Sequence, residues 1–106
     1  MPAVELPVRR PLTRAPTHPG VLMREILEEH LGLPLAEAAR RMKISRPSLY
    51  AALNGTGAVT AGMALRFGRL TGGAPELYVQ MQAQHDLWAA RERLKETLAE
   101  IEPAAE

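Results

Sequence analysis

Six basic side chains, Arg40, Arg41, Lys43, Arg46, Arg66 and Arg69, stand between Ala38 and Pro75, a stretch without a single Asp or Glu. The local charge is +6, whereas the whole chain carries only +1. The difference lies in the flanks: residues 1–37 sum to −1 and residues 76–106 to −4. The distribution is therefore the useful quantity. A surface of one sign attracts a polyanion, and on a helix-turn-helix scaffold, whose spacing Leu35 to Gly55 shows, it is what a polyanion such as DNA selects for.

Other chemistry finds little support. His18, His30 and His85 show no metal-ligand spacing, and the chain has no cysteine. That removes thiolate metal sites, disulfide frameworks and a cysteine nucleophile, and it suits a reducing, cytoplasmic location. His85 and Asp86 are adjacent. On a helix such neighbours point roughly 100° apart and are not expected to form a dyad. Ser45 has no base near it in sequence, and Thr71-Gly72-Gly73 reads as a helix break, not a phosphate loop. The chain is read as no enzyme, with no metal and no cofactor. No membrane association is expected, because no apolar run approaches the ~20 residues that span a bilayer. The N-terminal residues also lack the apolar core of a secretory signal.

The elements that must position the basic residues are helical. Aromatics are few (Tyr50, Phe67, Tyr78 and Trp88), so the core rests on Leu, Ile, Val, Met and Ala, the habit of an all-α bundle. A chain of 106 residues is one domain with a modest core, to which dimerisation would add buried surface. Pro2, Pro7, Pro11 and Pro16 predict an extended arm over residues 1–16, made basic by Arg9, Arg10 and Arg14 and able to hold one short strand, Val4 to Val8. Helix 1 should begin at Thr17-His18-Pro19, with Thr17 or His18 as its cap, and stop at Gly32. Its apolar stripe is Leu22, Met23, Ile26 and Leu27.

The second helix is expected over Pro34 to Met42, with Leu35, Ala38, Ala39 and Met42 inward. Lys43-Ile44-Ser45 forms the turn, with Ser45 capping a third helix that runs from Arg46 to about Leu53. Leu49 and Leu53 face in, while Arg46, Pro47, Ser48, Tyr50, Ala51 and Asn54 face out. Asn54-Gly55 ends that helix. The fourth begins after Thr60 and carries Met63, Ala64, Phe67 and Leu70 on one face. The fifth starts at Ala74-Pro75-Glu76 and passes Trp88; Leu87, Leu94, Leu98 and Ile101 continue an apolar stripe that either extends the helix or frays before Pro103. The expected organisation is an arm (1–16), a helix-turn-helix domain (17–90) and an acidic helical extension (91–106).

These residues resemble one family. THPG (17–20), ISRPSLYAALNG (44–55), MAL (63–65) and PELYVQMQAQHDLW (75–88) are similar to a HigA-type antitoxin, within the Xre group of lambda-repressor-like helix-turn-helix proteins. The match spans about Thr17 to Trp88, and its THPG start and QAQHDLW end are the narrow signatures. The resemblance implies an all-α, five-helix lambda-repressor-like domain with a central helix-turn-helix (helices 2 and 3) and a longer C-terminal helix. It also implies a homodimer that represses its own operon and binds a RelE-like, HigB-type mRNA-cleaving toxin. Departures from the pattern are Lys43 where the turn usually has Gly, Thr56 and Gly57 where two basic residues are usual, and Val21 and Gly62 where an acid is frequent. With Lys43 in place, a slightly altered turn is expected in preference to positive φ.

In a helix-turn-helix the second helix enters the major groove with its N-terminal residues against base edges. That makes Arg46, Ser48, Tyr50 and Ala51 the expected base readers, with Arg46 able to pair bidentately with guanine for ~1–3 kcal/mol of discrimination. Arg40, Arg41, Lys43, Ser45, Asn54 and Thr56 are the expected phosphate contacts, helped by N–H groups around Asn54 and Thr56. Leu77, Met81, Trp88 and Leu94 are the candidate dimer interface, although Leu77, Met81 and Trp88 fit an intramolecular core equally well. Candidate toxin-facing surfaces are the arm from Leu6 to Arg14, helix 1 and the acidic tail. Two rival readings remain: a stand-alone Xre-type repressor without a toxin, and a protein-interaction module that never meets DNA.

Overall fold

The computed structural model describes residues 15–105; the expected N-terminal strand and most of the basic arm lie outside them. Six α-helices follow in order: α1 (Pro19–Glu25), α2 (Leu35–Met42), α3 (Arg46–Asn54), α4 (Ala61–Thr71), α5 (Pro75–Arg93) and α6 (Lys95–Glu100). The all-helical class is as expected, and no strand occurs among the described residues. The count is six where five were anticipated, because the last helix breaks at Leu94 (φ −99°, ψ 9°) and a separate short helix follows.

His18, not Thr17, caps α1: its Nδ1 accepts from the Gly20 N–H at 2.9 Å, and Pro19 occupies the first turn, where its missing N–H costs nothing. Gly20 is then required for packing. A Cβ there would lie 2.0 Å from the Ala52 carbonyl oxygen, so only glycine lets α1 rest on the backbone of α3. After Glu25 the helix widens into one π turn, Ile26–His30, closed by Leu31 N–H on the Ile26 carbonyl (3.0 Å). Gly32 (φ 58°) ends it, as the sequence indicates.

The turn between α2 and α3 differs from expectation. Lys43 does adopt the left-handed conformation (φ 59°, ψ 44°), which costs a non-glycine residue about 1–2 kcal/mol. Three interactions hold it there. Lys43 N–H donates to the Arg40 carbonyl (3.2 Å) and Ile44 N–H to that of Ala39 (3.1 Å), the paired bonds of a Schellman ending. From α4, Arg66 Nη1 donates to the carbonyls of Met42 (2.7 Å) and Lys43 (3.2 Å), satisfying acceptors the helix leaves open. Ile44 packs against the core as the apolar plug, and Ser45 caps α3 by accepting from the Ser48 N–H at 3.2 Å.

The core follows the predicted helical spacing: Met23 and Leu27 of α1 and its π extension, Ala38, Ala39 and Met42 of α2, Leu49 and Leu53 of α3, and Met63, Ala64 and Phe67 of α4 are all buried. Thr60 caps α4 through the Met63 N–H (3.1 Å), while Ala74 offers α5 no side-chain cap. Along α5 the buried residues are Tyr78 and Gln82, not the leucines. Tyr78 meets Phe67 edge to face at 5.1 Å. Gln82 Oε1 accepts from the Val59 N–H (2.7 Å) and its Nε2 donates to Asp86 Oδ1 (2.8 Å), so a buried amide ties α5 to the loop before α4. Beside it, His18 and His85 meet edge to face at 5.1 Å. His85 Nδ1 lies 3.7 Å from Asp86 Oδ1, closer than divergence of adjacent helical side chains implies but too long for a hydrogen bond.

Two outcomes are expected. Lys43→Gly should stabilise the fold by about 0.5–1 kcal/mol, since relief of the left-handed strain outweighs the added chain entropy; denaturant unfolding checks it, and a loss of stability contradicts it. Burial, reinforced by the neighbouring His85, holds the His18 imidazole below its ordinary pKa of 6.5. The neutral ring is thus the native form, so the contribution is complete above that value and is lost as pH falls through the lowered one. Thermal melts between about pH 7.5 and 5 should show this decline, and His18→Asn, which keeps a cap without titrating, should flatten it.

Candidate nucleic-acid interface

Capping by Ser45 sets the direction of α3, and burial of Leu49, Ala52 and Leu53 on one side leaves Arg46, Pro47, Ser48 and Asn54 exposed on the other. Tyr50 and Ala51 are half-buried; Tyr50 leans on the core, so part of its ring is unavailable to a ligand. The Ser45 hydroxyl is engaged twice, accepting from the Ser48 N–H and donating to Ser48 Oγ at 2.8 Å. Ser48 consequently keeps its own hydroxyl proton for an outside acceptor. Among the expected readers, Arg46 and Ser48 are thus the exposed polar pair at the helix N-terminus.

The expected phosphate contacts divide into two sets. Arg40 is clasped by Glu37, three residues earlier, with Nε donating to Oε2 at 3.0 Å and Nη2 to Oε1. The hydrogen bond from Arg40 holds the Glu37 carboxyl below its ordinary pKa, and Glu37 raises that of Arg40. An acid just outside the acid-free run therefore masks one of its cations. The loop after α3 also turns inward. Thr56 Oγ1 donates to the Ala51 carbonyl (3.3 Å), as do the N–H groups of Thr56 and Gly57 (both 3.0 Å), while Gly55 N–H donates to Ala52 (3.2 Å). These N–H groups close the end of α3 and are not the outward donors expected from the sequence.

The second set, Arg41 and Lys43, gathers elsewhere, beside Arg66 and Arg69, which were not among the expected phosphate contacts. Arg41, Lys43, Arg66 and Arg69 line one groove of about 460 Å³ between the end of α2 and α4, floored by Met42, Leu65 and Leu70. Within it Arg66 also serves the turn, through the bonds to Met42 and Lys43. Asn54 is drawn into a contact the sequence does not suggest: Arg24 of α1 donates from Nη2 to Asn54 Oδ1 (2.7 Å) and from Nη1 to Glu28 Oε1 (2.9 Å). Nothing local marks the contact with Asn54, because the two residues are 30 positions apart.

The four residues of the candidate dimer surface lie on α5 and at its end. Leu77 (47% exposed) and Leu94 (38%) are open to solvent, and Met81 and Trp88 are half-buried. Leu77 is therefore not part of an intramolecular core. Among the described residues no cluster of His, Asp or Glu is arranged to hold a metal, and no helix is long and apolar enough to cross a membrane.

No family model matches the chain. It is 35% identical over 97 residues to an uncharacterised HTH-type transcriptional regulator, YbaQ, of Escherichia coli K12, covering 89% of this chain and 85% of that protein. Its fold is similar to that of Pseudomonas aeruginosa antitoxin HigA solved with the higBA promoter (TM-score 0.77, 26% identity, 85% of this chain and 99% of that one). An addiction-module antidote protein of the HigA family from Coxiella burnetii is also similar (TM-score 0.75, 26% identity, 85% and 99%). The likeness covers most of this chain, and the chain belongs to the HigA-type, Xre-like family of helix-turn-helix proteins.

Proposed function

We propose that this chain is the antitoxin of a type II toxin-antitoxin pair: a homodimer that binds the operator of its own operon and neutralises a RelE-like, mRNA-cleaving toxin by direct contact. The observation that carries the DNA-binding part is the exposure of Arg46 and Ser48 at the N-terminus of a helix held rigidly by caps at both ends. That the similar Pseudomonas aeruginosa antitoxin was solved with a promoter supports the same use here. In this reading Arg46 pairs with a guanine edge, Ser48 donates to a base or phosphate, Tyr50 and Ala51 offer apolar contact to a thymine methyl, and Arg41 and Lys43 position the duplex without reading it. Ser45 contributes by fixing α3, and Arg40 contributes net charge only when it leaves Glu37.

One such helix reads only a few base pairs, whereas two set about 34 Å apart read a palindrome. The exposed Leu77 and Leu94, with Met81 and Trp88 beside them, supply an apolar face for a second copy. Toxin neutralisation rests on membership of the HigA-type family. The resemblance to YbaQ favours one alternative, a stand-alone regulator with the same DNA chemistry and no toxin. Co-expression with the adjoining reading frame separates the two: copurification of a small basic protein supports the antitoxin, and its absence supports the regulator.

Arg46→Ala should weaken operator binding about tenfold or more and relax preference at one base position; unchanged affinity and preference in an anisotropy titration would remove Arg46 from the groove. Arg41→Ala should weaken all sequences alike and lower the slope of log affinity against log salt by about 0.9, one phosphate contact's worth. An unaltered slope excludes Arg41 from the footprint.

A further inference from the structure

The reach of Arg24 across to α3 has no role in holding the core, since the contact is exposed and both residues lie outside the buried set. Its chemistry is specific nonetheless. A guanidinium can only donate, so the atom of Asn54 that faces it at 2.7 Å must be the carbonyl oxygen. The other end of the amide, Nδ2 with its two protons, is thereby turned away from Arg24. Arg24 itself is held by Glu28 through the other guanidinium nitrogen, at 2.9 Å. Arg24 thus donates in two directions, to the Glu28 carboxylate that anchors it and to the Asn54 carbonyl oxygen, which leaves the amide donor at the last residue of α3 on the side away from Arg24.

An anion needs such a donor at this end of the helix. The carbonyl end of a helix carries partial negative charge and repels phosphate. The backbone N–H groups of residues 55–57 are turned inward, and Gly55 to Thr60 include no charged side chain. The Asn54 amide is therefore an uncharged donor placed here to meet a phosphate oxygen, provided its NH2 faces out.

We propose that Arg24 is a positioning residue of the DNA interface, fixing the Asn54 amide with Nδ2 outward as a donor to backbone phosphate, and that Glu28 in turn fixes Arg24. This rests on the DNA-binding reading above. The consequence is that α1, outside the helix-turn-helix, sets how the far end of α3 meets the duplex.

A double-mutant cycle tests it, using a duplex from the chain's own upstream region. The cycle is built on the Glu28→Gln chain, so that removing Arg24 leaves no unpaired carboxylate while the amide introduced there can still accept from Arg24. In that background Asn54→Ala and Arg24→Ala should each weaken binding by about fivefold to tenfold, and the double variant should be no weaker than Asn54→Ala alone. Arg24→Lys, which keeps a donor toward Oδ1, should recover most of the loss. The salt slope should stay the same in Asn54→Ala and Arg24→Ala, because a neutral amide releases no counterion. Losses that multiply in the double variant would overturn the coupling. A slope lowered by about 0.9 in Arg24→Ala would overturn it too, by making Arg24 a direct phosphate contact. Thermal melts identify any variant that has lost its fold, and Asn54→Ser, which truncates the amide without touching the core, then takes the place of Asn54→Ala. Failure of the unaltered chain to bind its promoter at all would overturn the functional reading instead.

Discussion

Three residues, Lys43 to Ser45, set the angle between α2 and α3, and almost everything proposed for this protein depends on that angle. A turn this short leaves little freedom, so its ends must be pinned. The Schellman bonds from Lys43 and Ile44 pin the exit of α2, and the Ser45 hydroxyl pins the entry of α3. Arg66 adds a bond from α4 to the last carbonyls of α2. A strained backbone at Lys43 is tolerated because these partners determine the conformation jointly, and because a cation near a helix C-terminus offsets the negative end of its dipole.

Charge in this chain is arranged by contacts more than by sequence density. The acid-free run suggests six free cations acting alike. In three dimensions Arg40 is clasped by Glu37, and Arg66 bonds the end of α2 while sharing a groove on the α2/α4 side with Arg41, Lys43 and Arg69. Arg46 stands apart at the tip of α3. Field and footprint are therefore distinct. The summed charge can still draw DNA from a distance, whereas contact geometry falls to the few groups without an internal partner.

The fifth helix illustrates where pattern reading fails. Its apolar side chains are spread around the axis, and glutamines interrupt them, so no single inward face stands out. Tyr78 and Gln82 are the buried pair, while Leu77 and Leu87 remain near half exposed. Gln82 can be buried because both ends of its amide find partners, Val59 N–H and Asp86. A polar residue in a core is invisible to hydrophobic periodicity, since its burial depends on donors that lie far off in the chain.

Local physics explains what could be read directly. Caps at Ser45 and Thr60, stops at Gly32, Gly55 and Gly72, and the i, i+4 spacing of Leu49 and Leu53 all act within a turn or two of the chain, so residue type alone determined the order of the first five helices and the helix-turn-helix at their centre, though not the π turn after Glu25 or the break at Leu94. Other features join residues 23 to 30 positions apart: Gln82 with Val59, Arg66 with the turn, Arg24 with Asn54. Those pairings, the left-handed Lys43 that Arg66 helps to hold, and the choice of which α5 face is buried were decided only by tertiary packing, because a hydrogen bond between distant segments forms where the core brings them together and leaves no periodic trace in the sequence.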